Sequence, residues 1–135
     1  MKTVIILLIT LTGLFLQQTF NQQDLIGKWS VLKAYGETNK LCDKNSPKVK
    51  DFILTFLSNN EYEFQTNNGE IYKAKGKYTV DIKTKTIKLN STIGKQTYSE
   101  DIPLISLTRD KLVIIYSLCT FDTTSNASNR IELTK

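Results

Sequence analysis

Residues 72–80 alternate between apolar or small side chains and lysines with a period of two. The first set is Tyr72, Ala74, Gly76, Tyr78 and Val80, and the lysines between them are Lys73, Lys75 and Lys77. Successive side chains of a β-strand point to opposite faces, so the pattern predicts a strand with one buried and one solvent-facing side. A helix would scatter the same residues around its axis.

Seven other runs share this strand-like character. The eight predicted strands cover residues 27–35, 52–57, 62–65, 72–80, 86–89, 96–107, 112–118 and 130–133, with the sixth interrupted near Pro103. Asn67-Asn68-Gly69 is the clearest turn between them, because Asn and Gly tolerate the positive φ angles of hairpin turns. Short connections favour antiparallel pairing, and closure would remove exposed edges. We therefore predict an all-β fold, an eight-stranded antiparallel up-and-down barrel.

The chain begins with an apolar run, residues 4–16, which carries no charge and follows Lys2. This run is too short to cross a hydrocarbon core of about 30 Å comfortably, which favours a cleaved signal over a membrane anchor. We predict a signal peptide at residues 1–21 and one domain at residues 22–135. The domain would be periplasmic, outer-envelope associated or secreted, with no integral membrane segment after signal removal.

Cys42 and Cys119 are the only cysteines of the chain. In an exported protein such a pair is most simply a disulfide, although two buried free thiols would also account for it. Two thiols are too few for a zinc site, and the chain contains no histidine. We predict no metal and no cofactor.

Gly27 and Trp29 on the first strand, together with Arg130 on the last, give the chain a resemblance to the lipocalin superfamily. Within it, the chain is similar to the compact lipocalin-like domains of exported bacterial proteins, over about residues 24–135. Lipocalins commonly place an arginine of the last strand against this tryptophan. The resemblance therefore implies structural roles for Gly27, Trp29 and Arg130, and a cation–π contact between Arg130 and Trp29. The Thr-Asp-Tyr motif usual before the seventh lipocalin strand is absent, since Thr108-Arg109-Asp110 stands there.

Inward-facing aromatic and aliphatic residues are the candidates for a ligand site, because small-molecule sites are mostly apolar with a few polar groups. They are Phe52, Leu54, Phe56, Tyr62, Phe64, Tyr72 and Tyr78. Together with the resemblance, they lead us to expect an exported, non-catalytic protein that binds a small hydrophobic or amphipathic molecule in its barrel. The alternative is a barrel filled by these rings, which would serve as an envelope or secreted interaction module without a small-molecule ligand.

Several other functions have little support in the sequence. Without histidine, the Ser-His-Asp and Cys-His arrangements cannot form, so we expect no enzyme. The carboxylate pairs that remain are Glu61 with Glu63 and the adjacent Glu100 and Asp101. A net charge of +5 without a recognisable basic and aromatic motif predicts no nucleic-acid partner. The lysines of the fourth strand and its neighbours are interpreted as a solvated outer face, with an anion-binding patch as the lesser alternative.

Two predicted strands, residues 52–57 and 112–118, are apolar on both faces. Only one face of a strand can point into a barrel. We therefore expect the other face to be covered by the loop of residues 37–50, or by a protein partner or a second copy of the chain.

Overall fold

A computed structural model describes residues 20–36, 39–119 and 129–135. In it eight strands form a closed antiparallel barrel in sequence order, and the last strand pairs with the first. The strands are β1 (Gly27–Tyr35), β2 (Ile53–Phe56), β3 (Glu61–Asn67), β4 (Ile71–Asp81), β5 (Thr86–Ile93), β6 (Gln96–Leu107), β7 (Lys111–Ile114) and β8 (Arg130–Thr134). The predicted fold is confirmed.

Two four-residue helices, α1 (Gln22–Leu25) and α2 (Pro47–Lys50), accompany the strands. They were not predicted from the sequence, because one turn is too short to show a helical period. Among the described residues, no helix is long and apolar enough to cross a membrane. The predicted signal peptide lies almost entirely outside the described residues.

β5, β6 and β7 differ most from the predicted strands. β5 continues to Ile93 through the polar segment 90–92, because β6 supplies a complete set of pairing partners there. β6 passes through Pro103 without a break, and the irregularity is a register shift between Leu104 and Ser106. β7 ends at Ile114, where the Ile115 amide makes a final hydrogen bond to the Pro103 carbonyl at 3.0 Å.

β1 contains a bulge that reverses its faces. Strict alternation would put Trp29 and Tyr35 on one face and Ala34 on the other. The register shifts between Val31 and Lys33, so Ala34 points inward opposite Ile131 and is buried. A β-bulge adds one residue to a strand, and every later side chain then changes face.

One end of the barrel is closed by α1 and the end of β8. Trp29 is fully buried and its indole Nε1 donates a hydrogen bond to the Leu25 carbonyl at 2.7 Å. Lys135 lies over the indole with its Nζ at 4.8 Å from the ring centroid, and it donates to the Asp24 carbonyl at 2.7 Å. Gly27 has φ of +137°, and a Cβ there would press on the Lys135 side chain. Only glycine fits this position without strain.

The half of the barrel next to this closed end is solid. The rings of Phe56 and Tyr78 pack edge to face with centroids 4.8 Å apart, and the Tyr78 hydroxyl donates to the Leu57 carbonyl at 3.2 Å. Ile87, Leu112 and Leu133 are also buried in the core. These side chains fill the interior as close-packed cores do.

The outer face of β7 is less exposed to solvent than expected for the outside of a barrel. Val113 points outward, with Ser106 and Glu132 as its neighbours on the adjacent strands, yet it is only 7% exposed in the single chain. α2, the helix in the 37–50 loop, packs against β1 and β3. Burial of Val113 therefore does not require a second chain.

Candidate functional site

The candidate site is a cavity of about 280 Å³ inside the half of the barrel farther from Trp29. It is lined by Phe52, Leu54, Tyr62, Phe64, Tyr72, Ala74, Leu89, Ser91, Ile93, Tyr98, Glu100, Ile102 and Tyr116. In an antiparallel barrel the β1–β2, β3–β4, β5–β6 and β7–β8 connections all lie at this end, which we call the mouth. The interior is thus solid near Trp29 and hollow near the mouth.

Three aromatic rings form one wall of the cavity. The Phe52 centroid lies 5.3 Å from that of Phe64 and 5.4 Å from that of Tyr116, and Phe64 and Tyr116 are 6.5 Å apart. Phe52 is fully buried, whereas Phe64 and Tyr116 keep some exposure toward the cavity. Edge-on and tilted contacts at these distances are favourable, so the wall holds its shape without a ligand.

The structure places five of the seven predicted ligand-site residues in this lining: Phe52, Leu54, Tyr62, Phe64 and Tyr72. The other two, Phe56 and Tyr78, lie in the solid half. Both point inward, as the alternation predicts, but each is farther along its strand from the mouth. A period of two identifies the inward face of a strand and carries no information about depth in the barrel.

Glu100 is a cavity residue that sequence analysis did not assign. On β6 it shares the inward face with Tyr98 and Ile102, whereas the adjacent Asp101 faces outward opposite Lys88. Glu100 stays exposed at the mouth, but desolvation of its carboxyl raises its pKa. The alternation of Glu100 with Ile102 and Leu104 indicates that Glu100 points inward, although carboxylates usually face water.

Tyr116 stands beside Glu100 in the segment after β7. Burial raises the pKa of its hydroxyl to about 12, and the Glu100 carboxylate adds to this effect by repelling a phenolate. The phenol therefore remains protonated at neutral pH and offers an O–H donor at the cavity wall.

A lateral gap of about 400 Å³ opens between β6 and the segment after β7. Glu100, Ile102 and Tyr116 line both the gap and the cavity, so the two spaces meet at these residues. β7 ends at Ile114 while β6 extends to Gln96, so among residues 20–36, 39–119 and 129–135 the mouth half of β6 has no partner strand on this side.

Asn129 lies at the edge of the gap and is 2% exposed. Its Nδ2 donates to the Ser117 hydroxyl at 3.0 Å, but its Oδ1 is buried without a hydrogen-bond donor among the described residues. Buried polar atoms are rarely left unpaired, because the lost hydration costs about 1–3 kcal/mol.

The structure contains the predicted disulfide between Cys42 and Cys119, whose Cα atoms are 6.1 Å apart. Cys42 follows β1 and Cys119 follows β7, so the bond joins two connections at the mouth. The Cys42 amide also donates to the Ala34 carbonyl at 2.8 Å. A disulfide at this position is compatible with an oxidising, exported location.

Native protein from an oxidising compartment should therefore show no thiol that can be alkylated before reduction. Reduction should lower the melting temperature, by an amount equivalent to about 2–4 kcal/mol, without dissolving the barrel, because the core remains. Intact-mass measurement after alkylation and a thermal melt would check both results. Complete alkylation of unreduced protein would contradict the disulfide.

The expected contact between Arg130 and Trp29 is wrong. Arg130 opens β8 and pairs with Tyr35 at the far end of β1, six residues along the strand from Trp29. Its guanidinium lies 4.1 Å from the centroid of the Tyr35 ring, and its Nη1 donates to Asn39 Oδ1. The cation over Trp29 is Lys135, which directly follows β8 and to which the resemblance gave no role.

The largest concavity, about 660 Å³, lies on the outer face of β1 to β4. Lys28, Lys73 and Lys75 line it, but Glu63 lies directly opposite Lys75 and Gln65 opposite Lys73. Farther along, Lys77 faces Glu61 and Lys88 faces Asp101. Alternating charges across strands stabilise a sheet, so this lysine face is better explained as a solvated surface than as an anion site.

The architecture defines a class of small closed barrels, antiparallel and up-and-down, with one solid and one hollow end. Among solved structures, the chain is similar to a lipocalin-like protein from Bacteroides uniformis, with a TM-score of 0.55 and 12% sequence identity. The match covers 83% of this chain and 98% of the other. No protein-family model matches the chain, and a search of curated proteins finds no significant match. The protein therefore has a lipocalin-like fold.

Proposed function

We propose that this protein is an exported, non-catalytic barrel that binds one small amphipathic molecule in the cavity at its mouth. The observation that carries the proposal is the cavity itself, enclosed on one side by the rings of Phe52, Phe64 and Tyr116. A purely structural barrel of this size can be filled by its own side chains. Here only the Trp29 half is filled.

The lining explains why an amphipathic molecule fits better than a purely apolar one. The deep part of the cavity is apolar, with Leu54, Leu89 and Ile102. Polar groups are concentrated toward the solvent, where Tyr72, Tyr98 and Glu100 are exposed. A ligand with an apolar body and one polar end would match this gradient, and the volume limits it to a small molecule.

The second candidate is an interaction module that acts through its outer surface. Leu32 and Ile105 favour it, because these large apolar side chains are about half exposed on the outside of the barrel. Single exposed apolar residues are common on monomeric proteins, however, so this observation carries less weight than the cavity.

Filling the cavity tests the proposal. Ser91 lines the cavity, and the next residue, Thr92, points to the outer face of the same strand. Ser91→Trp should weaken the binding of the neutral probe N-phenyl-1-naphthylamine by about tenfold or more, equivalent to about 1.4 kcal/mol, because the new ring occupies the site. Thr92→Trp, the matched control, should leave the affinity unchanged.

Titration calorimetry on delipidated protein is the suitable measurement, since Trp29 lies outside the cavity lining and need not report on it. Wild-type protein should show one saturable site per chain. Absence of saturable binding for this probe and for fatty acids, retinoids, sterols and haem would reject the proposal and favour the interaction module.

A further inference from the structure

Glu100 lies at the junction of the cavity and the lateral gap and forms no ion pair with any of the described residues. Tyr116 stands beside it, between the gap and the cavity. An unpaired carboxylate that lines a cavity favours a ligand group that donates hydrogen bonds and carries positive charge.

The aromatic surroundings point to the same kind of group. Phe64, Tyr72, Tyr98 and Tyr116 all line the cavity around the mouth. The faces of such rings attract cations, particularly where water is partly excluded. These rings and Glu100 therefore favour a protonated nitrogen at the mouth, whereas a carboxylate end would meet the repulsion of Glu100.

We propose that the cavity takes an amphipathic amine, with the apolar body inside the barrel and the protonated nitrogen at the mouth beside Glu100. The inference rests on the proposed ligand-binding function and specifies its ligand class. Glu100 supplies the charge, and the aromatic rings at the mouth attract the ammonium by cation–π interaction.

One charged residue, Lys48, favours a ligand with a negative charge, so the test must include it. Lys48 of α2 lies on the other side of Tyr116, together with Phe64 and Tyr72. It is exposed, and an acid with a free carboxylate could reach it from the cavity. The two arrangements require opposite charges on the polar end of the ligand. Probes that differ only in that charge therefore distinguish them.

Octylamine, octanol and octanoate form such a set. Wild-type protein should bind octylamine most tightly. Glu100→Gln should weaken octylamine by about 10- to 100-fold, since a charge-assisted contact is lost, and should change octanol by no more than about twofold. Glu63→Gln removes the same charge from the outer face of β3, opposite Lys75, and it should leave all three affinities unchanged. Calorimetry would measure the affinities, and a thermal melt would check folding.

The pH profile gives an independent readout. Octylamine affinity should fall as the pH drops through the raised pKa of Glu100, because the neutral acid no longer attracts the ammonium. Octanol affinity should stay flat. The other titratable groups around the cavity are Tyr62, Tyr72, Tyr98, Tyr116 and, beyond it, Lys48. Among the residues that line the cavity, Glu100 is the only carboxylic acid.

The outcomes distinguish this inference from the proposed function. Unchanged octylamine binding in Glu100→Gln would overturn the amine assignment and leave the cavity as a binding site. Octanoate as the tightest probe, with affinity lost in Lys48→Ala, would do the same and identify an acid-binding site. If wild-type protein bound none of the three probes, the amine assignment and the proposed function would both fail.

Discussion

Ile114→Lys should destabilise the protein by more than about 4 kcal/mol, enough to unfold much of it at room temperature. Ile114 is fully buried on the inward face of β7, between Leu104 on β6 and Ile131 on β8. An ammonium there would lie among apolar side chains with no carboxylate partner. Circular dichroism during urea unfolding would measure the loss.

The matched control is the next residue, Ile115, which is 38% exposed. Ile115→Lys should change the free energy of unfolding by no more than about 0.5 kcal/mol, since its charge can reach water. Light scattering on the same samples would test the outer face. Equal losses of stability in Ile114→Lys and Ile115→Lys would contradict the inward position of Ile114 and the outward position of Ile115. A dimer that becomes monomeric in Ile115→Lys would support a protein partner at this surface.

Phe56→Ala should lower the free energy of unfolding by about 3–5 kcal/mol, the usual cost of a large cavity in a filled core. The Phe56 ring is fully buried and packs against Tyr78 in the solid half of the barrel. Because Phe56 does not line the cavity, probe affinity at a temperature where the variant stays folded should be close to that of wild-type protein.

Phe64→Ala is the matched comparison for Phe56→Ala. Phe64 is only partly buried and forms part of the cavity wall, so its loss enlarges an existing space instead of creating one. We expect a smaller loss of stability than for Phe56→Ala and a clear change in probe affinity. Similar stability losses and unchanged binding in both variants would show that the whole interior is packed.

The barrel could be predicted because its strands follow strict alternation where they are regular. β4 illustrates this point, since its predicted and observed ranges differ by one residue at each end. Each apolar residue there has a lysine or another polar residue next to it in sequence, so only one face can be buried. The disulfide followed from composition, because a chain with two cysteines allows one intramolecular pairing.

Features that depend on strand neighbours could not be predicted in this way. The bulge at Val31 and Lys33 arises from how β1 pairs with β8, and nothing in the local sequence marks it. β5 extends through polar residues because β6 lies beside it, and β7 ends early although its sequence stays apolar to Leu118. Register is a property of strand pairs, so a single strand's pattern does not fix it.

The candidate site could be predicted only in part, because alternation identifies the inward face of a strand but not the position along the barrel axis. Alternation identified seven inward residues, and five of them line the cavity. Phe56 does not line it, because Phe56 lies deeper in the barrel than Phe52. Glu100 was missed because composition argues against an inward carboxylate. Asn129 lines the lateral gap, which lies beside the end of the short strand β7.

The division of the interior has a practical consequence for protein engineering. Residues that hold the barrel together, such as Trp29 and Phe56, are separate from those at the mouth, such as Ser91, Tyr98 and Glu100. A library that randomises only the mouth positions would leave the folding core untouched. The same chain could then be selected for ligand binding, with thermal tolerance inherited from the packed half around Trp29.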